Sequence, residues 1–181
     1  RTMSYCVYCE NLSEENVNKI YHDTAYGFPI NDDNELFGRL ILEINQAGLS
    51  WQTILNKENN FRLAFDHFDI ERISAYDDVK VSELMQDIGI IRNQLKIRSV
   101  IHNARQIMEL KKEFGSFKNW IDANHPLSLA EWVKLFKKQF KFVGGEIVNE
   151  FLMSTSYLPG AHVDDCAIYQ KMNKETLKWN Q

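Results

Sequence analysis

The chain has 181 residues, 44% of them hydrophobic and 25% charged, which suits one packed domain and excludes disorder as its main state. A net charge of −4, from 21 basic and 25 acidic residues, argues against gripping nucleic acid by bulk charge and leaves room for a local basic face. Three cysteines make no secreted disulfide framework, no apolar run is long enough to cross a bilayer, and Arg1-Thr2-Met3-Ser4 lacks a signal-peptide stretch. A cytoplasmic protein with reduced thiols and no membrane contact is expected. Arg1 and Thr2 are read as leftover expression residues, and the domain is expected over residues 3–181.

Most of the chain reads as helix. Asn31, Asp32 or Asp33 caps a helix running to about Ala47, with Leu36, Phe37, Leu40, Ile41 and Ile44 at helical spacing, and Gly48 ends it. A second helix holds Trp51, Ile54 and Leu55 and continues toward Phe65. Asp69 to Tyr76 is short and turn-like, with room for one helical turn. Asp77 or Asp78 starts a helix with Val81, Leu84 and Met85, and the run Asp87 to Arg92 breaks it. A long helix follows, with Ile97, Val100, Ile101, Ala104 and Ile107 on one face. Phe114 to Pro126 is looser, with a short helix near Trp120. Ser128 and Glu131 form a capping-box pattern for a helix that ends near Lys138. Phe140 to Val143 alternates like a strand, although an approach to the next helix fits equally. A last helix covers Glu146 to Ser154. No paired alternating runs with hairpin turns occur, so the expected fold class is all-α.

Three groups of residues carry chemistry. Cys6, Cys9 and His22 lie near one end, and His162-x-x-x-Cys166, spaced one helical turn apart, near the other. Two cysteines and two histidines drawn from them supply a tetrahedral zinc site, which is structural because four protein ligands leave no open position. Spacing does not choose between Cys6 and Cys9, and ordinary buried thiols fit as well. Glu43 is the second feature. It lies about 20° around the helix from Leu36 and about 40° from Ala47, beside the apolar stripe. It is buried or lines a cavity, unless it is a boundary residue whose head reaches water or one satisfied by a helix partner such as Arg39. Tyr21, Tyr26, Phe28 and Trp51 supply aromatic faces which, with an anion, suit a flat cationic ligand, unless they are simply core. Third, the Asp87–Arg92 turn joins two amphipathic helices through Gly89. It is either a plain connection or a phosphate site at a helix N-terminus, with Arg92, Lys96 and Arg98 following.

Taken in order, Tyr21-His22-Asp23-x-x-Tyr26-Gly27, Leu42-Glu43-x-x-Gln46-Ala47-Gly48-Leu49-Ser50-Trp51, Asp87-x-Gly89-Ile90-Ile91-Arg92-Asn93-x-x-Lys96-Ile97, Phe140-Lys141-Phe142-Val143-Gly144 and His162-x-x-x-Cys166 resemble bacterial 3-methyladenine DNA glycosylase I, of the helix-hairpin-helix glycosylase superfamily. The likeness runs from Cys6 to Cys166. It implies the helix-hairpin-helix glycosylase fold, with a structural Zn2+ held by Cys6, His22, His162 and Cys166, joining segments of about 3–30 and 140–175. Cys6 is preferred because Cys6-x-Tyr8 matches the family's Cys-x-Trp. The resemblance also implies that Glu43 is the catalytic acid residue of a base pocket lined by Tyr21, Tyr26 and Trp51. Gly48 and Leu49 would plug the DNA stack, and Gly89, Ile90, Arg92 and Lys96 would hold the backbone. The sequence departs from the family at Tyr26, where tryptophan is usual, at Asn18, near a usual tyrosine, at Gln139, where glycine is usual, and at Asn149-Glu150, in place of a Tyr-Ser type pair.

The implied substrate is N3-methyladenine in double-stranded DNA, and the implied product is the free base. Methylation at N3 makes the base cationic and a good leaving group, so flipping and recognition matter more than acid catalysis. The family lacks the superfamily's catalytic aspartate, and no lysine stands at the usual nucleophile position, so a monofunctional enzyme is expected; a monomer is expected separately. Two other classes compete: a damage-binding protein of the same fold with weak catalysis, and a zinc hydrolase, which a closed four-ligand site disfavours.

Overall fold

The computed structural model describes residues 4–181, so the expected domain start at Met3, and the excluded Arg1 and Thr2, lie outside the described residues. Among the described residues there are helices and turns and no strand. In chain order the helices are α1 (Tyr5–Glu10), α2 (Val17–Thr24), α3 (Asp33–Gln46), α4 (Trp51–Asn56), α5 (Glu58–Ala64), α6 (Ile70–Ser74), α7 (Asp78–Met85), α8 (Gln94–Phe114), α9 (Phe117–Asn124), α10 (Leu129–Gln139), α11 (Gly145–Ser154) and α12 (Ala167–Lys171).

Helix α3 is the axis of the molecule. Its residues Leu36 to Asn45 are all buried, so it is enclosed by neighbours on every side. Asp32 is its cap, accepting from the Glu35 amide at 2.9 Å. The adjacent Asp33 reaches across to another helix, where its two carboxylate oxygens accept the Phe117 and Lys118 amides that open α9. Gly38 is required by packing, because a Cβ there would stand 2.3 Å from the Phe68 ring. Phe68 lies in a three-residue turn, Asp66–Phe68, whose residues all have positive φ.

The expected Trp51-to-Phe65 helix is two helices, broken at Lys57, and the single helical turn allowed within Asp69–Tyr76 is the short helix α6. Asp77 caps α7, Asn93 caps α8, and Ser128 with Glu131 forms the capping box of α10. Helix α8 spans 21 residues, roughly 30 Å, before Gly115 ends it with φ +90°. Phe140 to Val143 forms no strand; Phe140 and Val143 are buried on the way to α11. Phe140 joins Phe117, Trp120, Phe136 and Phe151 in an aromatic core with ring centroids 5.5–6.2 Å apart.

Candidate base pocket, DNA face and metal centre

The two ends of the chain meet in a Cys/His cluster. One ligand atom from each of Cys6, His22, His162 and Cys166 lies within 4.8 Å of all the others. Cys6 Sγ is 3.5 Å from His162 Nδ1, and Cys166 Sγ is 3.6 Å from the same nitrogen and 3.7 Å from His22 Nε2. A tetrahedron built on zinc–sulfur and zinc–nitrogen bonds has edges of roughly 3.3–3.8 Å, so the spacing fits such an ion. The outer nitrogens are anchored as metal-binding histidines require. His22 Nδ1 lies 2.7 Å from Asp23 Oδ1, and His162 Nε2 donates to the Tyr26 carbonyl at 2.6 Å. Burial pushes the His162 pKa down, which favours the neutral, ligating imidazole. His162 and Cys166 are not on one helix, as their spacing suggested. Both lie on the segment before α12, with Cys166 as its N-cap, and the loop brings them together. Cys9 points away: its Sγ donates to the Asn18 carbonyl, and burial pushes its thiol up to about 11.

Above this cluster is an aromatic group. The rings of Tyr21 and Trp51 have centroids 5.2 Å apart, and Tyr26 stands 5.5 Å from Tyr21 and 5.6 Å from His162. Tyr21, Tyr26 and Trp51 are all buried. Tyr5 is the member that sequence reasoning missed. Its ring lies edge-on to Tyr26 at 5.3 Å, and its hydroxyl donates to Asn18 Oδ1 at 2.6 Å. Asn18, the position near the family's usual tyrosine, thus holds a phenol from α1. Glu43, on α3, is 1% exposed. Arg39, one turn earlier, places its guanidinium 5.1 Å over the Tyr21 ring and donates to the Ser154 carbonyl.

Helix α3 ends in a turn built for exposure. Ala47 has φ −51° and ψ 121°, and Gly48 has φ +80°, the geometry of a type II turn. The Leu49 amide donates to the Gln46 carbonyl at 2.7 Å, and Gln46 Nε2 returns a bond to the Leu49 carbonyl at 2.8 Å. Leu49 is 38% exposed at the tip. Beside it runs a groove of about 570 Å³, whose other wall is the 87–92 hairpin and which also holds Lys57 and Arg92. Asp87 closes the hairpin, accepting the Gly89 amide at 2.8 Å. Arg92 is exposed, and Lys57 Nζ donates to the Ile88 carbonyl, a basic residue of this face absent from the sequence reading.

Two residues expected on the DNA face are placed differently. Lys96 is 5% exposed, and its Nζ donates to the carbonyls of Asn45 and Ala47 rather than to solvent. Burial lowers its pKa. Ile90 is buried, at 4% exposure, although it lies in the wall of the groove.

Comparison with known proteins identifies the scaffold that carries these residues. The family model described as methyladenine glycosylase matches residues 11–128. The DNA-3-methyladenine glycosylase 1 of Escherichia coli (strain K12) is 33% identical over 89% of this chain and 96% of its own length. The DNA-3-methyladenine glycosylase of Haemophilus influenzae is 30% identical over 87% and 95%. A crystal structure of a 3-methyladenine DNA glycosylase I variant in complex with 3-methyladenine superposes with a TM-score of 0.79 at 27% identity, covering 89% of this chain and 96% of that one. The buried acid, the aromatic group and the exposed turn therefore stand in a scaffold of known kind, and the chain belongs to the methyladenine glycosylase family.

Proposed function

We infer that the chain is a monofunctional DNA-3-methyladenine glycosylase of base-excision repair: it turns the damaged nucleotide out of duplex DNA and hydrolyses its glycosidic bond. The observation that supports this reading best is the Glu43 carboxylate, taken out of water on the same helix that ends in the exposed Gly48–Leu49 turn. A buried anion selects a cation, and N3-methyladenine is a cationic base where adenine is neutral. Glu43 accepts hydrogen bonds from the base edge, and Tyr21, Trp51 and Tyr26 present ring faces or edges to it. Two stacking contacts of about 3.5 Å need some 7 Å between rings, so a base bound between Tyr21 and Trp51 requires them to part. As the C1′–N bond breaks, its electron pair leaves with the base and neutralises it. Water adds its oxygen to C1′ and gives up a proton.

Leu49 fills the gap left in the stack, and the hairpin amides, Arg92 and Lys57 meet phosphates. The Cys2His2 group holds one Zn2+, which supplies structural closure between residues of about 3–30 and 140–175 and takes no part in the chemistry. The enzyme works as a single-domain monomer in the cytoplasm. Assay of wild type on methylated duplex tests the reading: multiple-turnover appearance of free 3-methyladenine is expected. Retention of alkylated DNA without release of base would make the chain a damage-binding protein instead.

A further inference from the structure

We propose that Lys96 is a positioning residue for excision: its buried ammonium clamps the end of α3 and so holds the Gly48–Leu49 turn in the shape that enters the DNA stack, without touching a phosphate. The inference rests on the reading of that turn as the plug. The last carbonyls of a helix have no amide of their own to accept from. In a continuing helix the Asn45 carbonyl would take the Leu49 amide, but the turn has diverted that amide to Gln46. Lys96 Nζ replaces it at 2.9 Å and takes the Ala47 carbonyl at 2.8 Å. A cation at a helix C-terminus is electrostatically favoured, and here it bridges the last helical turn and the first corner of the plug.

Packing alone does not call for lysine here. A buried ammonium is costly, and a methionine would fill similar volume without that cost. No carboxylate lies within ion-pair distance of Lys96 among the described residues, so its partners are the two carbonyls. Lys96 is also the third residue of α8, and its own amide donates to the Asn93 cap that follows the hairpin. One side chain therefore ties the hairpin end of α8 to the turn at the end of α3. A phosphate drawn to the hairpin finds the plug already in register.

The test is Lys96→Met in the full chain, read four ways. Single-turnover excision from methylated duplex should fall about ten- to hundredfold, the effect of losing hydrogen bonds from a charged donor. Affinity for free 3-methyladenine, read by tryptophan quenching, should stay within about twofold. The slope of log affinity for DNA against log salt should not change, whereas Arg92→Ala should flatten it by about 0.9. In a Leu49→Ala background, Lys96→Met should cost little more, because both act through one turn. Unchanged excision, a salt slope flattened by about one, or full additivity with Leu49→Ala would each overturn the proposal. Full activity of Leu49→Ala alone would overturn the plug reading beneath it, and failure of wild type to release base would overturn the glycosylase reading. Should Lys96→Met not fold, Lys96→Gln removes the charge but keeps a donor nitrogen, and the same salt slope and cycle decide.

Discussion

Gly48 holds φ +80° at a place where an added Cβ would meet nothing within 4 Å. The constraint is therefore backbone conformation and not space. Gly48→Ala should strain the turn by about 1 kcal/mol and lower excision from DNA while leaving free-base affinity intact, as paired assays would show. Gly38 is the opposite case: its φ is ordinary, but the Phe68 ring occupies the room a Cβ needs. Gly38→Ala should cost about 1–3 kcal/mol in denaturant unfolding by overpacking. The sequence makes Gly48 readable as a helix stop, but nothing local marks Gly38, whose requirement comes from a ring thirty residues on. Glu43 was legible as an anomaly because one acid stood beside an apolar stripe. The direction of the Lys96 ammonium was not legible, since basic residues after a hairpin look alike until the carbonyls they reach are known.

At the scale of elements, the readable helices were those in which a capping residue precedes a clear apolar pattern. Asp32, Asp77, Asn93 and Ser128 each accept an amide in the first turn, and their side chains announce that role. Helices α1 and α2 were not read. Ser4 and Asn16 cap them, but their six and eight residues are mostly polar or chemically special and carry no plain apolar stripe. The Asp33–α9 link was equally hidden, because its two residues are 84 apart in the chain. Asp33→Ala should leave two buried-end amides without their acceptor and lower stability by about 1–2 kcal/mol in urea titration.

Asp122 fastens α9 to the C-terminal tail, accepting from Tyr157 at 2.6 Å and Lys118 at 2.8 Å, with Lys178 at 3.5 Å. Burial works against its ionisation, but the hydrogen bonds and ammonium groups outweigh burial and hold the carboxyl below its usual range. A depressed folded pKa gives stability that is full above the unfolded value, near pH 4, and lost as pH falls through the folded one. The stability gap between wild type and Asp122→Asn should therefore be widest at neutral pH and close below about pH 4.

Across the whole molecule, the Cys/His centre joins α1 and α2 to the segment before α12, and the His162 anchor is the carbonyl of Tyr26, a member of the aromatic group. Removing an ion from this centre should loosen the wall of the pocket and lower the melting temperature by several degrees, because binding to the folded state alone stabilises it. Metal analysis should find one zinc per chain, and Cys166→Ser should lose it. Spacing alone left Cys6 and Cys9 equal; the family resemblance pointed to Cys6, and the fold places Cys6 in the cluster while turning Cys9 toward Asn18.

The measurement that tests the account most directly is chromatographic detection of bases released from methylated duplex by wild type and Glu43→Gln side by side, with melting temperature and zinc content recorded for both. The account predicts 3-methyladenine from wild type, at least a hundredfold less from the variant, and matching stability and metal. Release by Glu43→Gln at the wild-type rate would contradict it.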